Sequence, residues 1–361
     1  MRAECVRLFQ AALIFLCYLF LILCPAACSA AAVDALRLCA QVLTPSLFPF
    51  FVCSNLFCAL GLTALLEKPL WGVMQPLFGL SGAGAAALLP GLMGGYPAGA
   101  QAAASLYQSG SMDKAQAERL LRFCNNCGPA FIFSVAAQAV GQSPLAGLLL
   151  YLVQVLSALA LGLAGRRKSA PPGEEKCAQI SASAPLPFSA AMTESVRKAG
   201  QSMLEVCMFA LTFGVLAAMV RLVAARLFPP EAVRLFSGAL ELACGMQALG
   251  AVQASQGVKF VLCSFFLAFG GLSVHAQTRS VLRAAGLAEV QVFWPKLLRG
   301  LLAALLGAVV YALAAPELLA AQTAGMAFPP GAAYAAALLL TGAACVIFRK
   351  MAGSNFARHR V

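Results

Sequence analysis

The chain has 361 residues, of which 61% are hydrophobic and 11% charged. Soluble domains carry about 25% charged residues, so a soluble enzyme, a nucleic-acid binder and a disordered chain are excluded by composition. The net charge of +12 belongs to basic residues clustered just outside apolar runs: Arg2 and Arg7, Arg166 to Lys168, Arg197 and Lys198, Arg349 and Lys350. That is the positive-inside pattern of a bacterial polytopic membrane protein. The first predicted element is an apolar run from Leu8 to Cys24, free of charge as far as Val33. The small residues Pro25 to Ala32 also suit a signal-peptide cleavage site, but the apolar chain that follows favours an uncleaved helix.

Apolar stretches long enough for the about 20 residues of a span give full spans at 7–27, 46–65, 144–165, 203–227, 297–316 and 331–348. Shorter apolar runs broken by Gly and Pro bring the expectation to roughly eight crossings plus re-entrant or discontinuous pieces. Arg166 to Phe188 is rich in charge and proline and is expected to be a cytoplasmic loop dividing the chain. Arg2 and Arg7 at one end, and Arg349, Lys350, Arg358 and Arg360 at the other, place both termini in the cytoplasm. Most of the 14 cysteines lie in apolar runs, where Cys acts as a small hydrophobe. Cys124 and Cys127 form a lone CxxC that lacks the further ligands of a metal site, so neither metal nor cofactor is expected.

Polar groups inside apolar surroundings carry the functional signal. Gly94 to Gln101 disfavours a regular helix, and the backbone groups it frees need partners within the protein, in water or on a ligand. It aligns with Gly270 to Gln277, with four of eight positions identical, as an internal repeat of helix-breaking segments would. Tight glycine packing accounts for the same pattern without a ligand. Asn125, Asn126 and Gly128 precede Pro129, a turn that starts a helix and turns N–H groups toward an anion; an ordinary cap is the plainer reading. Glu241 in an apolar, small-residue stretch is the sharpest single residue, since an intramembrane carboxylate is costly. It suits a proton or sodium coupling group, or an ion pair with Arg234. Glu205 is similar but closer to Arg197 and Lys198. Ser273, His275 and Gln277 close the second Gly-Gly segment, and His275 is suited to proton transfer or to lining a gate. No Walker-type loop, H-E-x-x-H or Gly-x-Ser-x-Gly occurs, and no nucleophile–base pair suggests an enzyme.

Three strings together carry a family resemblance: Gly94-Gly95-Tyr96-Pro97-Ala98-Gly99-Ala100, Cys124-Asn125-Asn126-Cys127-Gly128-Pro129-Ala130-Phe131-Ile132, and Gly270-Gly271-Leu272-Ser273-Val274-His275-Ala276-Gln277. In order and spacing, from about residue 34 to 350, the chain resembles the YlbJ-type sporulation integral membrane proteins. These group with the nucleoside-recognition, or Gate, proteins. Gly94 departs from the Ser expected in many relatives but stays small. The resemblance implies a sporulating bacterium and movement of dipicolinate across the outer forespore membrane.

The expected protein is therefore all-α and polytopic, with two Gate-like repeats. A first helix (1–33) precedes repeat one (34–165), the linker (166–188), repeat two (189–320) and a last helix with a basic tail (321–361). Its expected function is secondary transport or facilitated diffusion of a small organic anion, with Tyr96, Gln101, Asn125, Asn126, Gly128, Ser273 and Gln277 lining the site. Glu241 and His275 are expected to couple or gate. The expected partners are the lipid bilayer, the anion and a coupling H+ or Na+, with no nucleic acid; self-association and other sporulation membrane proteins stay open. The alternative is a non-transporting membrane scaffold of spore assembly.

Overall fold

The computed structural model describes residues 2–62, 70, 72, 74–141, 144–166 and 187–314. Among these, all regular structure is helical. Six stretches are long and apolar enough to cross a membrane: Glu4–Leu23, Pro25–Ala59, Pro144–Ala164, Phe188–Ala224, Gln256–Ala284 and Phe293–Leu313. The expected span 331–348 and most of the 166–188 linker lie outside the described residues.

Helix α1 (Arg2–Leu23) stands apart from the core. Its Leu8 is 70% exposed and its Phe9 71%, a surface that hydrocarbon covers well and water does not. Pro25 begins the next helix, because a missing N–H costs nothing in a first turn. The chain therefore bends at Cys24 and continues through α2 (Pro25–Leu38), a π turn (Cys39–Leu43) and α3 (Thr44–Ala59). This 35-residue stretch absorbs both the small-residue segment after α1 and most of the span expected at 46–65.

The remaining elements of the first half are α4 (Ala83–Met93), α5 (Ala98–Gln108), α6 (Lys114–Cys124), α7 (129–139) and α8 (Pro144–Ala164). The second half holds α9 (Phe188–Ala224), α10 (Pro230–Leu240), α11 (Leu242–Gly250), α12 (Gln256–Phe269), α13 (Gly271–Ala284) and α14 (Phe293–Leu313). Among the described residues each half holds a long helix, two pairs of helices that meet at a break, and a straight span.

The first long helix of each half packs antiparallel on the other. Leu43 and Leu47 meet Val206 and Ala210 around one cavity. Ala27, Ala30 and Asp34 meet Ala218, Arg221 and Ala225 around another.

Glycine permits the close approach of the broken helices. A Cβ at Gly91 would fall 1.7 Å from the Cys124 carbonyl oxygen, and one at Gly99 would fall 2.3 Å from it. Helices α4 and α5 therefore lie backbone against backbone on the end of α6. Between α10 and α11, a Cβ at Gly245 would stand 2.1 Å from the Gly238 Cα. Helix α6 starts at a capping box: the Asp113 carboxylate accepts from the Gln116 N–H at 2.7 Å, and the Gln116 side chain accepts from the Asp113 N–H at 3.3 Å. Such caps stabilise a helix start by about 1 kcal/mol.

Candidate functional site

Four helix breaks converge. Gly95 turns the chain between α4 and α5 with φ +82°, and Gly270 and Gly271 turn it between α12 and α13 with φ +90° and +72°. A side chain is disfavoured at such angles. A Cβ at Gly95 would also lie 2.8 Å from the Gly128 nitrogen, and one at Gly270 would lie 3.5 Å from the Tyr96 ring. The two Gly-Gly segments are thus neighbours across the halves.

Between them lies a cavity of about 40 Å³, lined by Gly95, Tyr96 and Gly128 from one half and by Glu241, Val274 and Gln277 from the other. That volume holds about two or three waters, so in this conformation the site is closed to an organic ligand. Glu241 is 5% exposed. It caps α11, its carboxylate accepting from the Cys244 N–H at 2.6 Å. Arg234 donates instead to the Ala251 carbonyl at 2.7 Å, so the ion pair considered from sequence does not form. Glu205 is exposed on α9.

Behind Tyr96 stand two side chains to which the sequence analysis assigned no role. Lys296 is 4% exposed and Arg299 0%. Three residues apart on α14, they share one helix face. Lys296 donates to the Tyr96 hydroxyl at 2.9 Å and to the Asn125 carbonyl. Its ammonium lies 4.3 Å from the centre of the Tyr96 ring, a cation–π distance. Arg299 donates to the same Asn125 carbonyl at 3.3 Å and to Gln154, at 3.0 Å on the side chain and 3.4 Å on the carbonyl. The Tyr96 hydroxyl lies 3.1 and 3.3 Å from the Leu267 and Ala268 carbonyls.

These contacts place both cations at the negative end of α6, linked through Tyr96 to that of α12. A helix end supplies about −0.5 charge. Two such ends offset roughly half of two positive charges. Among the described residues no carboxylate lies within ion-pair distance of either cation. Leaving water costs several kcal/mol per ion, and the two helix ends meet only part of that cost. The readable signal was two isolated cations at the start of a 21-residue apolar helix (Phe293–Leu313) that contains no acid; intramembrane charges are functional candidates by default.

Of the other candidates, Asn125 joins this centre through its carbonyl. Asn125 donates to the Thr278 hydroxyl at 3.0 Å, joining the halves, and Asn126 donates to the Phe123 carbonyl at 2.9 Å. The Asn125 and Asn126 side-chain oxygens, the Ser273 hydroxyl, His275 Nε2 and Arg299 Nε are all buried without a hydrogen-bond partner among the described residues. His275 packs between Phe269 and Phe293, with ring centres 4.9 and 5.3 Å away. Gln101 lies off the cavity and bonds Ser202 of α9 at 3.1 Å. Cys124 points its thiol at the Gly99 carbonyl, 3.4 Å away.

Comparison with known proteins follows the same residues. The nucleoside-recognition Gate family matches residues 40–165, which carry the breaks at 94–97 and 125–128. The chain is 30% identical over 296 residues to the sporulation integral membrane protein YlbJ of Bacillus subtilis, covering 73% of this chain and 72% of the relative. The chain belongs to the YlbJ family of sporulation integral membrane proteins. No solved structure matches it. As a YlbJ-family member it is an integral membrane protein of sporulation, and its apolar helices agree with that placement.

Proposed function

We propose that this YlbJ-family protein is a secondary transporter or permease for a small organic anion, with dipicolinate across the outer forespore membrane as the family-derived candidate. The observation that carries the reading is the Lys296–Arg299 pair, buried behind the helix breaks without a carboxylate partner among the described residues. An excess of buried positive charge favours an anion, and two cations suit two carboxylates. Antiparallel long helices and a shared element order support an inverted-repeat arrangement, in which substrate sites lie where broken helices from the two halves meet. In this reading Tyr96, Asn125, Asn126, Gly128, Ser273 and Gln277 shape the site. Gln101 holds α5 to α9, and the Glu241 carboxylate at the cavity wall takes the coupling H+ or Na+, with His275 at the gate.

The cavity of about 40 Å³ must widen for any such substrate, as alternating access requires. The test is equilibrium binding of dipicolinate to purified protein in detergent, beside its mono-acid analogue picolinate. Saturable binding with the di-acid at least about tenfold tighter is expected, since a second charged contact contributes about 1.5–3 kcal/mol. Equal or absent binding would defeat the assignment.

A further inference from the structure

A second, larger opening lies between α2, the end of α9 and the start of α10. We propose that it is the vestibule through which an anionic substrate reaches the central cavity, with Arg221 collecting the anion. This rests on the transport reading above. The opening has a volume of about 520 Å³, within the range of about 300–1,000 Å³ that accommodates small organic ligands. Its charged lining residues are Asp34, Arg221 and Arg234, a net charge of +1. Arg234 is committed to the Ala251 carbonyl. Arg221 and Asp34 line the same space, yet neither has a hydrogen bond or ion pair among the described residues. The Arg221 guanidinium is therefore available to a ligand.

The vestibule and the cavity lie along one helix seam. On α9, Ala218 borders the vestibule and Ala210 the cavity, a separation of eight residues or about 12 Å. On α2, Asp34 borders the vestibule, and Leu43, at the end of the π turn, borders the cavity. Gly214 sits midway. A Cβ there would lie 3.3 Å from Ala35 Cβ and 3.8 Å from the Cys244 sulfur. The Cys244 N–H is the one bonded by Glu241, which lines the cavity beyond. Ala35, Gly214 and Cys244 thus meet in the layer between the vestibule arginine and the cavity carboxylate, and the Cys39 thiol approaches the Cys207 carbonyl in the same layer. The π turn Cys39–Leu43 interrupts the α2–α3 hydrogen-bond ladder where the cavity begins, and such turns recur at functional points in helices. Small side chains and a loosened ladder lower the cost of opening this layer.

The experiment measures initial dipicolinate uptake against concentration in phosphatidylcholine vesicles holding the full chain. For Arg221→Gln the expected result is a KM raised about threefold with kcat unchanged, the size of effect an accessible charge exerts. Raising the salt concentration should remove most of that difference. For Gly214→Leu the expected result is a kcat lowered at least tenfold, with dipicolinate affinity of the purified protein retained. Normal KM in the first variant and normal kcat in the second, beside an active wild type, would overturn the vestibule. An Arg221 effect seen only when anionic lipid is added would assign the opening to a lipid headgroup and overturn it equally. Absence of uptake by wild type would instead refute the transport reading, and the vestibule with it.

Discussion

Replacing Lys296 by Met separates a substrate-binding cation from a structural one. The ammonium makes two hydrogen bonds, to the Tyr96 hydroxyl and the Asn125 carbonyl. Bonds to charged groups contribute about 1.5–3 kcal/mol each, so a purely structural Lys296 would cost about 3–6 kcal/mol on removal. The structure argues for far less. The Asn125 carbonyl keeps Arg299 at 3.3 Å, and the Tyr96 hydroxyl keeps the Leu267 and Ala268 carbonyls. No polar atom is orphaned, and a costly buried charge is removed. Lys296→Met is therefore expected to unfold in detergent within about 1 kcal/mol of wild type, or to be more stable. Dipicolinate affinity should fall by the about 2–5 kcal/mol that follows loss of one partner of a buried charged contact, roughly 30-fold or more. Thermal unfolding and ligand titration on the same preparation read both quantities. A destabilised protein with wild-type affinity would refute the reasoning and make Lys296 a structural brace.

Glu241→Gln should fold normally, because its amide oxygen can still accept from the Cys244 N–H, now 2.6 Å from the carboxylate; flux against pH should lose the wild-type dependence while dipicolinate binding survives. Gly91→Ala should destabilise by about 3 kcal/mol or more by thermal unfolding, since its Cβ would fall 1.7 Å from a backbone carbonyl that has nowhere to move. Outside the spans, the exposed Lys114 ammonium holds the Glu289 carboxyl below its ordinary range. A depressed carboxylate stabilises above its unfolded pKa and loses that contribution as pH falls through the folded value. Glu289→Gln should accordingly flatten the acid limb of the stability profile, with little change at neutral pH, because the pair is screened by solvent.

Composition made the membrane class legible, and glycine made the breaks legible. Gly94 to Tyr96 and Gly270 to Gly271 stood out as helix breakers; the positive φ of Gly95, Gly270 and Gly271 disfavours any side chain, and the structure brings these segments together. Glu241 stood out as a lone acid, yet its role as cap of α11 depended on a helix boundary that hydropathy does not mark. Lys296 and Arg299 were passed over because charges at the start of an apolar run look like an interfacial flank. Only the depth of α14 among its neighbours shows that they are interior. Pro25 reads two ways in sequence: small residues after an apolar run suit a processing site, and a first-turn proline suits the helical stretch that the structure shows over Pro25–Ala59.

The central claim is that anions cross the membrane between the two halves, past the Lys296–Arg299 pair. The most direct measurement is dipicolinate uptake into sealed vesicles reconstituted with purified protein, wild type beside the Lys296→Met, Arg299→Met double variant. Saturable uptake by wild type, lost in a folded double variant, is the expected result. Equal uptake by both, or none by wild type above protein-free vesicles, would contradict it.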